Sequence, residues 1–368
     1  MAENQTPLRQ IVFFEAFPWL KIGYALGCGL APQSVGLAWV ALTLSLWFQQ
    51  GVALLGPPDP QPQHDPTLWN MLRRQLPPVA APLRVGTMPT QDVEAPGQPR
   101  SQALWIPWRP WLDVADGVFR LMAAPRADWR YWIGWLMSML IWSAAGIGLV
   151  RSACLQFGRQ ESCSFREILR FGVTRCTRSF SALVIPAGFM LLLAVLANLL
   201  LLPALWMAVM PVWTWLISPL VFLFITISAM LLLTMVVLWP WILAAIAADD
   251  SDAFDAFSRA YSLITSRFWS WLFLLILAAG ELYVLSSIIG VVHQAVMAWQ
   301  RTCFGVWLPP EVVKQLEMTV GWWVHQVSAA TLISLMWSLI GVIYLFLREA
   351  VDGQPWHELG ALEQTFNP

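Results

Sequence analysis

Few side chains in this 368-residue chain could carry chemistry, and most of them stand where charge is expensive. Glu281 interrupts an apolar run over 268–300, His293 follows twelve residues later, and His325 opens the next apolar run. Asn198 sits in a third such run. A carboxylate about eleven residues into a membrane-crossing helix lies near the bilayer centre, at 1.5 Å per residue. It is costly there unless it is protonated or partnered. One reading of Glu281, His293, His325 and Asn198 is therefore an ion or proton relay, or a ligand site inside a helix bundle. The plainer reading is a protonated Glu281 bonded to a neighbouring helix, with both histidines at the membrane surface. With no basic residue at the same depth, the plainer reading is preferred.

Asp249, Asp250, Asp252 and Asp255 place four carboxylates within seven residues, a density that attracts divalent cations. No EF-hand spacing or glycine turn accompanies them. Ser251 or Asp252 is instead positioned to cap a helix over 254–266, with acids at its positive end. Asp255 and Arg259 are four apart, and Phe254, Phe257 and Tyr261 form its expected apolar stripe. The chain has no phosphate-binding glycine loop, GxSxG, HExxH, GxGxxG or CxxC, so no catalytic, cofactor or metal residues are assigned. The five cysteines form no paired pattern, and a disulfide framework is not expected.

These residues must be positioned by elements suited to lipid. Hydrophobic residues make up 58% of the chain and charged residues 12%, with mean hydropathy +0.61. A soluble domain carries about 25% charged residues. The balance excludes a disordered chain and an ordinary soluble enzyme. A net charge of −1 gives no field that would draw nucleic acid.

The stretch 179–248 holds no charged residue across 70 positions, enough for two crossings and a turn around Pro203, Pro211 and Pro219. The expected fold is all-α: a polytopic transmembrane bundle of about six spans. They lie near 35–55, 131–150, 181–205, 218–241, 268–299 and 322–347. Tryptophan clusters mark where the helices cross the interface. Residues 1–56 hold an amphipathic helix over 11–20 and the first span. Residues 57–104 form a Pro-rich polar loop, and 105–368 a helical membrane domain opening with an interfacial helix over 111–122. Gly23 and Gly27, and Gly146 with Gly148, are candidate close helix contacts.

Between the second and third spans lie Arg151, Arg159, Arg166, Arg170, Arg175 and Arg178, against Glu161 and Glu167. The positive-inside rule puts this short loop in the cytoplasm, and both termini with it. The expected location is a bacterial inner membrane. Together with Arg259 and Arg267, these arginines are candidate contacts for lipid headgroups or partner subunits. Shifting the sequence by 89 residues lays Phe165, Arg170, Arg178, Ser181 and Leu183 on Phe254, Arg259, Arg267, Ser270 and Leu272. This suggests a tandem parallel repeat of surface helix, crossing, turn and crossing.

The octapeptide Ser164-Phe165-Arg166-Glu167-Ile168-Leu169-Arg170-Phe171 and the stretch from Asp252 to Tyr261 resemble helices that precede spans in one known family. That family is the membrane domain attached to some bacterial glycerophosphodiester phosphodiesterases. The resemblance covers about 151–300 and implies architecture rather than hydrolysis, because the catalytic domain is missing from this chain. The expected function is a non-catalytic scaffold or accessory subunit binding membrane lipids or other subunits. The alternative is a small transporter or channel using Glu281, His293 and His325.

Overall fold

A computed structural model describes residues 18–54, 108, 110–111, 129–206 and 210–360. The loop expected at 57–104 lies outside them, as does nearly all of the helices expected at 11–20 and 111–122. A 3-10 turn over Pro18–Gly23 leads into α1 (Tyr24–Gly29) and α2 (Pro32–Leu54). Then follow α3 (Trp129–Arg159), α4 (Phe165–Trp206), α5 (Met210–Asp249), α6 (Ala253–Ser266), α7 (Phe268–Phe304) and α8 (Pro310–Asp352). No strand occurs among the described residues.

Five helices are long and apolar enough to cross a membrane, and a sixth span is formed if α1 and α2, bent by 69°, count as one. The chain is thus an all-helical, polytopic bundle. The helices at Trp129–Arg159, Phe165–Trp206, Met210–Asp249, Phe268–Phe304 and Pro310–Asp352 outrun the apolar stretches that announced them. α8 and α3 form the centre: 89% and 61% of their most apolar windows are buried, against 17–22% in α4, α5 and α7. The outer three helices therefore present Phe189, Leu191, Trp215, Phe222 and Val291 outward, as a bilayer requires.

Close approach depends on particular glycines. A Cβ on Gly172 would stand 2.0 Å from the Ala144 carbonyl oxygen, and one on Gly148 2.9 Å from that of Ile168. α3 and α4 can cross at this distance only without those side chains. Gly146 likewise lies against Leu243 and Trp337. The pair Gly23 and Gly27 behaves differently from expectation: a Cβ on either would meet no described residue within 4 Å, so neither glycine is needed for a close helix contact among the described residues. The turn before α2 makes its contact at Gly29 instead, against Leu335, where Ser334 Oγ donates to the Gly29 carbonyl at 2.8 Å.

Two prolines lie inside α5, Pro219 and Pro240. Each lacks an N–H and leaves the carbonyl four residues earlier unbonded within the helix. Those carbonyls find other donors. Ser218 Oγ donates to Trp215 O (3.0 Å), and Trp111 Nε1 reaches across to Val236 O (2.6 Å).

One end of the bundle collects the start of α2, the end of α3, the start of α4, the end of α5, the start of α7 and the end of α8. Ser34 Oγ pairs with Ser152 Oγ, and Arg267 Nη2 donates to Ala350 O. The first and last described turns meet there too, with Lys21 Nζ 4.2 Å from the centre of the Trp356 ring. The two stretches related by the 89-residue shift both send a helix away from this end, but by different routes. Arg267 leaves helical geometry (φ −131°, ψ 43°), separating α6 from α7. Its counterpart Arg178 stays helical, so no separate surface helix forms at 165–178 and α4 runs unbroken. Arg178 donates to Asp250 and to the Ser251 carbonyl of the neighbouring turn.

Candidate functional site

The charged residues concentrate where the helices end. α3, α5 and α8 each stop at a residue in left-handed conformation: Gln160 (φ 58°), Asp250 (φ 55°) and Gly353 (φ 67°). Left-handed residues commonly terminate helices, and aspartate tolerates the conformation better than most. The last residue of α5, Asp249, receives Arg348 Nη1 on Oδ1 (2.5 Å) and Tyr344 Oη on Oδ2 (2.5 Å), with Arg259 Nη1 3.4 Å from Oδ2. Asp250 is gripped by Arg175 through Nε (2.5 Å) and Nη2 (2.8 Å), and by Arg178 Nη1 (2.7 Å). Partial burial would push the Asp250 carboxyl up, but the two guanidiniums outweigh it and hold the carboxyl below the usual range.

Arg151 has a different kind of partner. It is 2% exposed and donates to the carbonyls of Ala247 (2.9 Å) and Ala248 (3.3 Å) and to that of Gly360 (3.0 Å). The first two are terminal carbonyls of α5, where the helix dipole favours a cation. Arg159 donates to His357 O and Leu359 O, and Arg348 Nη2 to Pro355 O and Glu358 O. Gly360 N closes the loop on Ala248 O at 2.8 Å. Residues 353–360 are thereby laid across the ends of α3, α5 and α8, and Trp356 is wedged against Phe157 and Phe346. A polar cleft of about 720 Å³ opens here, lined by Arg159, Glu161, Asp249, Arg259, Arg348 and His357 among others.

Asp249 and Asp250 are each held by guanidiniums, whereas Arg151 and Arg159 are held by backbone carbonyls. Among the described residues, no group of three His, Cys, Asp or Glu is disposed to hold a metal ion.

No family model, curated protein or solved structure matches this chain.

The acidic run at 249–255 is divided between ion pairs and capping. Asp252 caps α6 by accepting from Asp255 N (2.8 Å), and Asp255 Oδ2 pairs with Arg259 Nε at 2.9 Å. The buried face of α6 is Ala256, Ala260, Leu263 and Ile264. Phe254 and Tyr261, expected in the apolar stripe, are exposed on its flank. Phe257, the third member of that stripe, is half-buried against the core.

The four membrane-depth candidates do not converge. Glu281 is half-buried on α7, and its Oε2 is buried with no hydrogen-bond partner. Arg301 pairs with Glu317 at 2.9 Å, and Gly321 lies against Met297. That antiparallel register puts His293 and His325 at one level of the α7–α8 hairpin. Glu281 lies twelve residues, about 18 Å, along α7 from them. Asn198 is exposed on α4 and donates to its own helix at Ala194 O.

Sequence reasoning missed Arg348, Asp249 and Tyr344 as one cluster, and residues 353–360 as its cover. Arg348 closing a long apolar run and the adjacent pair Asp249-Asp250 were the visible signals. Nothing in the sequence joins them.

Proposed function

We propose that this chain is a non-catalytic scaffold or accessory subunit of a membrane complex. Its arginine-rich end faces the cytoplasm of a bacterium and meets anionic headgroups or a partner subunit. The observation that carries the reading is the segregation of charge. Arg151, Arg175, Arg178, Arg348, Asp249 and Asp250 gather at one end, ion-paired or bound to carbonyls, while Glu281 stands apart on α7 and α4, α5 and α7 turn apolar surface outward along their length. α6 suits the interface: it bridges the ends of α5 and α8, with Phe254 and Tyr261 exposed beside its buried face. The resemblance to phosphodiesterase membrane domains would add architecture and no hydrolytic chemistry.

The test is affinity purification in mild detergent. Co-recovery of a stoichiometric protein or of bound lipid is expected; recovery as a lone, lipid-free monomer overturns the reading. Orientation is tested with native thiols in intact cells. Cys163 should resist an impermeant maleimide that modifies Cys303 at the far end, and the reverse pattern inverts the assignment.

A second reading, a small transporter or channel, is favoured by one observation: the unpartnered buried oxygen of Glu281. Glu281→Gln in a proteoliposome flux assay should abolish transport on this reading, and unchanged flux removes it.

A further inference from the structure

Eight arginines from Arg151 to Arg267 cluster at one end of the bundle, and the structure divides them sharply. Arg151 and Arg159 are bound to backbone carbonyls, Arg175 and Arg178 to Asp250, and Arg259 to Asp249 and Asp255. Arg267 donates to Ala350 O. Of the eight, Arg166 and Arg170 are exposed with no hydrogen bond or ion pair to their guanidiniums among the described residues.

We infer that the first turns of α4 seat an anionic phospholipid, its phosphate between Arg166 and Arg170 and its acyl chains along Phe165, Leu169 and Val173. The two arginines are one helical turn apart on one face. Phe165, Leu169 and Val173, spaced four residues apart, run beside them and are exposed. The one acid in these turns, Glu167, stands beside Arg166 and three residues before Arg170, but its Oε2 is engaged by Ser164 N at 2.8 Å in a capping box, which draws the carboxylate toward the start of the helix.

The depth is right for a headgroup. Phe165 lies 3.9 Å from where a Cβ on Gly36 would stand, which aligns the start of α4 with the first turn of α2. The span expected over 35–55 begins there, which puts the start of α4 at headgroup level on the membrane reading. The apolar strip then continues along α4 into the exposed Val184, Ile185 and Phe189. Guanidinium groups bind phosphate oxygens in bidentate fashion, and the long arginine stems let the charged heads reach the headgroup layer from an apolar surface.

The inference rests on the lipid-facing reading of this end, and its test is independent of any protein partner. The full chain is placed in nanodiscs of phosphatidylcholine containing a minor fraction of phosphatidylglycerol, and retained lipids are counted by native mass spectrometry. Each arginine near an anionic surface is worth about fivefold in affinity. Phosphatidylglycerol should therefore be enriched in wild type, and the enrichment should fall about tenfold or more in Arg166→Gln/Arg170→Gln. It should survive in Arg166→Lys/Arg170→Lys, which keeps the charge, and in Arg301→Gln at the far end of α7. Equal enrichment in the Gln double variant and wild type overturns the inference, as does a wild type with no preference. Loss of a co-purifying protein without loss of phosphatidylglycerol also overturns it, while leaving the scaffold reading intact.

Discussion

The guanidinium of Arg348 meets the carboxylate of Asp249 at 2.5 Å, joining the last turns of two helices across 99 residues of sequence. Arg348 is 1% exposed, and Tyr344, one turn earlier on α8, donates to the other oxygen of the same carboxylate. The contact fixes the axial position of α5 against α8 at the end where both stop.

Asp249→Ala should be among the most damaging single substitutions. It leaves Arg348 as a buried cation with only carbonyl partners and strips Tyr344 of its acceptor. Breaking a buried pair costs about 3–5 kcal/mol. Removing both partners with Asp249→Leu/Arg348→Met should cost less than the sum of the single changes. Thermal unfolding of detergent-solubilised protein followed by circular dichroism checks both.

Asp250 gives the fold an acid limit. Its folded carboxyl titrates below the reference value of 3.8, because Arg175 and Arg178 favour the charged form. A depressed folded value adds stability that is present above about pH 3.8 and is lost as pH falls through the folded value. Asp250→Asn should lower stability at neutral pH and flatten the decline below pH 4 seen in wild type. Midpoints of thermal unfolding between pH 3 and pH 7 read this out.

The cover formed by residues 353–360 should be structural and intolerant of bulk. A Cβ on Gly360 would stand 2.5 Å from the Asp249 carbonyl oxygen, so Gly360→Val should lift the segment. Arg151, Arg159 and Arg348 would then lose carbonyl acceptors, at about 1–3 kcal/mol for each buried donor left unbonded. Faster proteolysis after Gly353, together with a lower unfolding midpoint, is the expected pair of results.

The two small-residue motifs should separate cleanly. Gly172→Ala places a methyl 2.0 Å from the Ala144 oxygen and should cost at least about 1–3 kcal/mol by forcing α3 from α4. Gly23→Ala meets open space and should be tolerated. Parallel unfolding curves of the two variants distinguish a packed glycine from an incidental one.

Local relationships were legible in the sequence. The Asp252 cap, the Asp255–Arg259 pair and the lengths of the apolar runs all follow from spacing within a turn or from the thickness of a bilayer, and both are fixed in advance. Which face of α6 turns inward was not legible: Ala256, Ala260, Leu263 and Ile264 are buried, while Phe254 and Tyr261 stay exposed.

What the sequence determined alone is that this chain is helical, belongs in lipid and carries its arginines beside the crossings. Only the tertiary structure decided which arginines are consumed, which glycines touch, and that residues 353–360 close over the ends of α3, α5 and α8. The reason is range. A side chain's partner within one helix is set by the 1.5 Å rise, whereas Arg348 and Asp249, or Gly172 and Ala144, meet only once the shapes of several helices have fixed how they stack.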